Sequence, residues 1–134
     1  MPDYARLRDA VAERVAELLD ARAFAVTTAE DGVIVKALQG KSAGSTLHLS
    51  THLSGLIMLK LPLPTKLRLR TYFENTADSV QEFVSRVSRT DWPAPGAEPR
   101  ARATDDQVHV WYGSDDESSA ALRWRPFDRH ELSL

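Results

Sequence analysis

The stretch FAVTTAEDGVIVKAL, from Phe24 to Leu38, decides the fold class of this chain. Two β-prone runs, residues 24–28 and 33–38, flank the sequence Ala29-Glu30-Asp31-Gly32. An Asp-Gly pair between two such runs is a strong signal for a tight turn. The stretch therefore predicts an antiparallel β-hairpin.

An amphipathic helix is predicted before this hairpin, over residues 3–22. Its apolar side chains recur at the spacing of one helix face, and they are Leu7, Val11, Val15, Leu18 and Leu19. Asp3 is the expected N-cap, because its side-chain oxygen can accept a hydrogen bond from an amide of the first turn. The hairpin thus has an apolar helix face available to cover it.

Three strands are predicted after the hairpin. Residues 46–53 alternate between apolar and polar side chains, and residues 56–61 are apolar at nearly every position, as in a strand near the centre of a sheet. Residues 66–73 alternate basic residues with leucines. Because successive side chains point to opposite faces of a strand, this third run predicts a strand with one basic face.

The remaining chain predicts a helix, a loop and a second hairpin. Asn75 or Thr76 is the expected N-cap of the helix, whose apolar stripe consists of Val80, Phe83, Val84 and Val87. Residues 90–106 carry three prolines and a glycine without periodicity, which indicates a flexible Pro-rich loop. Residues 108–112 and 120–125, joined by an acidic turn, predict the hairpin. A short tail or helical turn is expected after Pro126.

These elements predict an α+β fold, in which an antiparallel β-sheet is flanked by an N-terminal helix and a second, central helix. The length of 134 residues falls in the range of one domain, so residues 1–134 are interpreted as a single domain. The content of 43% hydrophobic and 27% charged residues is typical of a chain that folds on its own.

Composition and motifs argue against several kinds of site. The chain has no Cys, which removes disulfides, thiolate nucleophiles and Cys-based metal centres. His48 and His52 would lie about 13 Å apart on a strand, too far to share a metal ion. The acidic run at 115–117 lacks the ligand spacing of a calcium loop, and no nucleophile elbow or phosphate-binding loop is present. No catalytic, cofactor-binding or metal-binding residue is predicted.

Charge and hydropathy indicate where the protein works. The net charge of −2 gives the whole molecule no strong attraction to nucleic acid or anionic membrane. The most apolar window, residues 53–63, is about half the ~20 residues that a spanning helix needs, so no membrane contact is expected. The absence of a signal-peptide pattern and of Cys is consistent with a cytoplasmic protein. Arg outnumbers Lys by 13 to 4, a bias typical of GC-rich genomes.

One set of side chains stands out as a candidate interaction surface. It combines the basic face of the predicted strand 66–73, the basic end of the second hairpin and the tryptophan before the Pro-rich loop. Its members are Lys66, Arg68, Arg70, Trp92, Arg123 and Arg125. The competing interpretation is ordinary, because charged residues on an exposed strand also keep proteins soluble and block edge-to-edge pairing.

The order of elements resembles the small type III secretion chaperone-like and YbjN-like domains of bacteria, in which a first helix precedes strands and a later helix precedes two more. The resemblance covers residues 3–125 in element order and rests on no residue motif, so no site residue is transferred. It implies a non-catalytic protein that binds another protein, in a chaperone-like, adaptor-like or regulatory role, and often forms a homodimer.

Two alternatives remain open on the sequence alone. One is a small-ligand-binding or enzymatic domain with a site between sheet and loop, including a catalytic site assembled from residues distant in sequence. The other is a nucleic-acid binder that uses the basic run 66–70, although exposed aromatics interleaved with the cations are missing there. Protein binding is favoured, because a motif-free, near-neutral domain needs no chemistry for that role.

Overall fold

The computed structural model describes residues 4–51 and 65–132 and shows an α+β fold, as predicted. The elements in these two ranges are α1 (Tyr4–Leu18), β1 (Phe24–Ala29), β2 (Gly32–Ala37), β3 (Thr46–Ser50), α2 (Thr65–Ser88), β4 (Glu98–Ala103), β5 (Gln107–Gly113), β6 (Leu122–Arg123), β7 (Phe127–Asp128) and α3 (Arg129–Leu132). A short 3₁₀ turn covers Glu117–Ser119. The strand predicted over residues 56–61 and the histidine at 52 lie outside the described residues.

The strands form two antiparallel sheets rather than one. The first sheet has the order β1-β2-β3, and the second has the order β4-β5-β6, with β7 also paired to β5. Both predicted hairpins are confirmed, since β1 pairs with β2 and β5 pairs with β6. The N-terminal helix is confirmed as α1, and the short α3 is the helical turn expected near the C-terminus.

The alternation of buried and exposed side chains in β2 identifies the inner face of the first sheet. Val33 and Val35 are fully buried, whereas Lys36 between the buried positions is exposed. Gly32, at the start of β2, sits so close to β3 that a Cβ there would lie 2.2 Å from the backbone oxygen of Leu49. The approach of the two strands therefore requires glycine at this position.

The predicted strand over residues 66–73 is wrong, because this run forms the first turns of α2. The buried residues of α2 begin at Leu69 and recur at helical spacing through Tyr72, Phe73 and Thr76. Leu67, which the strand interpretation placed on the same face as Leu69, is 37% exposed. The second helix exists as predicted, but it begins at Thr65 rather than at residue 75 or 76.

The interpretation of residues 90–106 as one irregular loop is also wrong, because β4 occupies Glu98–Ala103. Among the described strands β4 pairs with β5 alone, which makes it an edge strand, a position that tolerates Pro99. Its small residues Ala101 and Ala103 lie toward α2, while Arg100 and Arg102 lie opposite Trp111 and His109 of β5. The strand is ordered by its neighbours rather than by its own propensity.

The core is shared by both sheets because α2 contacts β3 of the first sheet and β4 and β5 of the second. Phe73 of α2 packs on Phe127 with ring centroids 4.8 Å apart, and Phe83 packs on Phe24 at 6.2 Å. The hydroxyl of buried Tyr112 donates to the Ala77 carbonyl of α2 at 2.9 Å. These contacts fix α2 against the sheets and leave its polar side facing outward.

Candidate functional site

Five of the six candidate interaction residues occupy three separate places on the molecule, and Arg68 lies apart from all of them. Lys66 and Arg70 lie in a groove between α2 and β4, and Trp92 lies in a second pocket near the end of α2. Arg123 and Arg125 line a third pocket beside α1. The sequence interpretation joined these cations in one surface, but the groove and the third pocket share no lining residue.

Arg68 is separated from the other two cations of its run by the helix. Residues four apart lie on one side of a helix, so Lys66 and Arg70 are neighbours, whereas Arg68 points about 200° away from Lys66 at 100° per residue. The Arg68 side chain is exposed and donates to the Thr65 hydroxyl at 3.4 Å. The prediction that all three share one face is therefore wrong.

The groove between the first half of α2 and β4, called here the basic groove, has a volume of about 420 Å³. Four cations line it, namely Lys66, Arg70, Arg100 and Arg102. Its carboxylates are Glu74 and Asp115. Among the lining residues cations exceed carboxylates, but Glu98, Asp105 and Glu117 pair with these cations from just outside the lining.

Each cation of the basic groove has a carboxylate partner. Lys66 Nζ lies 2.6 Å from Asp105, which lowers the pKa of that carboxyl, and Arg70 Nε lies 3.0 Å from Glu74. Arg102 Nη2 lies 2.8 Å from Glu117. Arg100 contacts Glu98 at 2.9 Å and also Asp115. Exposed pairs of this kind contribute about 0–1 kcal/mol, so carboxylates of a partner can replace them at little cost.

Trp111 is the apolar floor of the basic groove. Its indole N–H donates to the Ser114 carbonyl at 2.8 Å, and the Arg102 guanidinium lies 5.9 Å from its ring centroid. Arg100 and Arg102 were not predicted as site residues because residues 98–103, which form β4, were interpreted as loop. Their alternation with Ala101 and Ala103 was the signal that would have found them.

The second pocket, called here the acidic pocket, lies between the second half of α2 and residues 91–97 and has a volume of about 350 Å³. Its charged lining residues are Asp78, Glu82 and Asp91. Within residues 4–51 and 65–132, none of these three carboxylates forms an ion pair. This pocket thus presents uncompensated negative charge on the same helix as the basic groove.

Trp92 forms a wall of the acidic pocket. Its ring packs at 5.2 Å on the ring of Tyr112, and its backbone N–H donates to the Ser85 hydroxyl at 3.0 Å. The side chain is only partly buried. Trp92 therefore closes the C-terminal end of α2.

The third pocket, with a volume of about 660 Å³, is bordered by α1, β5 and the segment from 3₁₀ turn to Pro126. Arg125 donates to Glu17 at 3.1 Å and also to Glu13, and these carboxylates raise the pKa of Arg125. Arg125 therefore serves to fasten the C-terminal segment to α1. Arg123 is exposed and lies opposite Trp111 in the pairing of β5 and β6.

His109 and Glu117 form the pair that most resembles catalytic machinery. His109 Nδ1 lies 3.1 Å from Glu117 Oε2, an arrangement that can orient an imidazole as a general base. The nearby Ser118 hydroxyl, however, donates to Asp116 at 2.7 Å and not to the imidazole. Across the described ranges no cluster of three or more His, Asp or Glu side chains is arranged to hold a metal ion.

No family model matches the chain, and no curated protein or solved structure is significantly similar to it. No helix within residues 4–51 and 65–132 is long and apolar enough to span a bilayer.

Proposed function

We propose that the protein is a non-catalytic protein-binding module, chaperone-like, adaptor-like or regulatory, that contacts its partner along the outer face of α2. The set of side chains on this surface is called here the charged row, and it winds around α2 from the basic groove to the acidic pocket by about 40° per step of four residues. It consists of Lys66, Arg70, Glu74, Asp78 and Glu82. The observation that carries the proposal is the separation of charge along this row.

The charged row opposes the stability of its own helix. Side chains four residues apart are neighbours on a helix, and like-charged neighbours cost roughly 0.2–0.5 kcal/mol each. Three of the four neighbouring pairs in the row are like-charged, and only Arg70 and Glu74 attract, at 3.0 Å. The ion pair of Lys66 with Asp105 at 2.6 Å offsets the first of these repulsions, which leaves Glu74, Asp78 and Glu82 as a run of three like charges.

The start of α2 shows the same conflict. Lys66 lies in its first turn, and no acidic residue is present there. The positive end of the helix dipole disfavours cations at this position by about 0.3–1 kcal/mol each. A surface that must recognise a charged partner accounts for a distribution that lowers the stability of the isolated helix.

An apolar contact point accompanies each end of the charged row. Leu67 is 37% exposed beside the basic groove, and Trp92 is partly exposed in the acidic pocket. Leucine and tryptophan side chains at the edges of charged surfaces supply the apolar burial that protein contacts need. The proposal takes the partner to be a polypeptide with complementary charge.

Nucleic acid fits the charged row poorly. Phosphates favour the basic groove, but the unpaired Asp78 and Glu82 repel them along the second half of the same face. The catalytic alternative rests on His109 and Glu117, which lack a hydrogen-bonded nucleophile among the described residues. The proposal also retains the resemblance in element order to type III secretion chaperone-like domains and a cytoplasmic location in a bacterium.

Two arginines of α2 provide a matched test. Arg70 lies in the basic groove and Arg68 on the other side of the helix, and both are exposed. Partners are isolated with the tagged wild type and with the tagged variants Arg70→Glu and Arg68→Glu. One experiment uses nuclease-treated lysate of the source organism, and the other uses a solution of the purified untagged chain. Protein binding that is lost in Arg70→Glu and kept in Arg68→Glu supports the proposal. Equal binding by both variants, or binding that nuclease removes, contradicts it.

A further inference from the structure

We propose that the third pocket binds a small organic carboxylate that carries a hydrogen-bond donor on an apolar body, with its negative charge received by Arg123. This pocket shares no lining residue with the basic groove or with the acidic pocket. The binding site is therefore separate from the charged row and goes beyond the protein contact proposed there. Its volume of about 660 Å³ lies within the range of pockets that hold small molecules.

Arg123 is a cation without a partner on the wall of the third pocket. Its side chain is exposed, and in the two described ranges of the chain it forms neither a hydrogen bond nor an ion pair. The other charged lining residues have partners, since Arg125 lies 2.9 Å from Glu17 and Glu117 lies 2.8 Å from Arg102. A guanidinium binds a carboxylate through two parallel hydrogen bonds. Among the charged lining residues, Arg123 is therefore the one left to bind a ligand.

The pairing of β5 with β6 places Arg123 on the same face of the sheet as His109. Arg123 lies opposite Trp111, and directly opposite side chains of two paired strands share a face. Side chains two residues apart on a strand also share a face, so His109 lies on the face of Trp111. The sheet thus brings two polar side chains of neighbouring strands to one pocket.

Glu117 fixes the orientation of the His109 ring. His109 Nδ1 lies 3.1 Å from Glu117 Oε2, and the two side chains are 18% and 17% exposed. Because a carboxylate only accepts, Nδ1 carries the proton of this hydrogen bond. The other ring nitrogen, Nε2, forms no hydrogen bond to a described residue. In the neutral imidazole Nε2 is an acceptor, so its partner in the pocket is a hydroxyl or N–H group of the ligand.

Apolar side chains form the rest of the pocket wall. Leu18 at the end of α1 and Leu122 of β6 are half-buried, and Pro126 is exposed. Trp124 also lines the pocket and is 2% exposed. An apolar group bound here removes the remaining exposed area of these side chains from water, which favours binding. The pocket therefore fits a ligand whose body is apolar and whose polar groups lie at its ends.

The charges of the pocket favour a carboxylate over a phosphate ester. A phosphate monoester carries a charge of about −1.5 to −2 at pH 7. Glu17 and Glu117 line the same pocket and repel a second negative charge. The single unpaired guanidinium of Arg123 matches the single charge of a carboxylate.

An NMR titration of the purified, ¹⁵N-labelled chain with 4-hydroxyphenylacetate tests this inference. The expected result is saturable binding with a Kd of roughly 10 mM or below, the range for a ligand of so few atoms. The largest shift changes should occur at residues 109 and 122–125. The neutral amide 4-hydroxyphenylacetamide should bind roughly tenfold more weakly, because it cannot form the charge-assisted hydrogen bonds. Phenylacetate, which lacks the hydroxyl group, should also bind more weakly than 4-hydroxyphenylacetate.

Two exposed arginines provide the variant and its control. Arg123→Gln should weaken the binding of 4-hydroxyphenylacetate roughly tenfold and remove its advantage over the amide. Arg68→Gln, which removes an arginine that lines none of the three pockets, should bind like the wild type. Circular dichroism verifies that each variant is folded, and Arg123→Lys, which keeps the charge without the fork, is the second variant if Arg123→Gln unfolds.

Three results overturn the inference: no saturable binding, equal affinity of the wild type for the acid and the amide, or an equal loss in Arg68→Gln. Tighter binding of phenyl phosphate than of 4-hydroxyphenylacetate overturns the choice of a carboxylate. Since Arg123 lies outside the charged row, each of these results leaves the proposed protein contact standing.

Discussion

Arg14 of α1 holds the carboxylate of Glu131 in α3 with both guanidinium nitrogens, Nη1 lying 3.2 Å from Oε2 and Nη2 donating to Oε1. The Arg14 side chain is 1% exposed. It also donates to the carbonyls of Arg125 at 3.2 Å and Pro126 at 2.9 Å, and it lies 4.5 Å from the Phe127 ring centroid. One side chain thus attaches the C-terminal segment to the first helix.

Arg14→Met should lower the free energy of unfolding by about 3 kcal/mol, because it leaves the Glu131 carboxylate and two carbonyls without their donor. Urea unfolding followed by circular dichroism measures the loss. Arg68→Met is the control, because Arg68 is exposed and donates only a long hydrogen bond, of 3.4 Å, to the Thr65 hydroxyl. This substitution should change the free energy of unfolding by no more than about 0.5 kcal/mol. A loss below about 1 kcal/mol for Arg14→Met would show that the buried contact contributes little.

Gly32→Ala should destabilise the first sheet, since the added Cβ would lie 2.2 Å from the Leu49 backbone oxygen. Forcing β2 and β3 apart costs about 1–3 kcal/mol, the range of overpacked sites. Thermal unfolding measures the effect. Gly40→Ala is the comparison, because a Cβ at Gly40 meets nothing within 4 Å and only its φ of 76° opposes the change. Gly32→Ala as stable as wild type would contradict the register of β2 with β3.

The buried Tyr72 hydroxyl should make stability fall at high pH. Burial raises the pKa of Tyr72 from 10.0 to about 12, while its hydroxyl donates to the Ser50 carbonyl at 2.9 Å. Between pH 10 and about pH 12 Tyr72 has lost its proton in the unfolded chain but keeps it in the folded chain. The stabilisation that the neutral hydroxyl provides is therefore complete below pH 10 and declines above it. The contribution lost is roughly 2–3 kcal/mol.

Urea unfolding at intervals from pH 8 upward measures this decline. Tyr72→Phe removes the titrating group and should flatten the pH dependence, although buried Tyr112, whose pKa is also raised by burial, keeps part of it. A slope in Tyr72→Phe as steep as in wild type would mean that Tyr72 does not titrate as its burial requires.

The sequence predicts those parts of the fold that depend on local signals. The Asp31-Gly32 turn and the stripe of α1 were sufficient for the first hairpin and helix. The run 66–73 was wrongly predicted as a strand because Leu67 and Leu69 fit the alternation of a strand. The helical spacing becomes visible only when the buried residues Tyr72 and Phe73 are included. Short windows do not distinguish the two periods.

The site was harder to predict because its parts meet only in three dimensions. Lys66, Arg70 and Trp92 were identified from the sequence, but the tertiary pairing of β4 with β5 is what brings Arg100 and Arg102 to the groove. The contact of Arg14 with Glu131 joins residues 117 apart in the chain. No pattern within a single segment reveals such contacts.

Site-specific photo-crosslinking tests most directly whether the charged row of α2 is a protein contact surface. The chain has no Cys, so Leu67→Cys and Leu38→Cys each carry one benzophenone label, and both positions are exposed leucines. Leu67 borders the basic groove, whereas Leu38 lies beyond β2 in the first sheet. We predict that Leu67→Cys crosslinks to a polypeptide, either a second copy or a protein of the lysate, and that Leu38→Cys does not. No polypeptide crosslinked at Leu67, in purified protein or in lysate, would contradict the account.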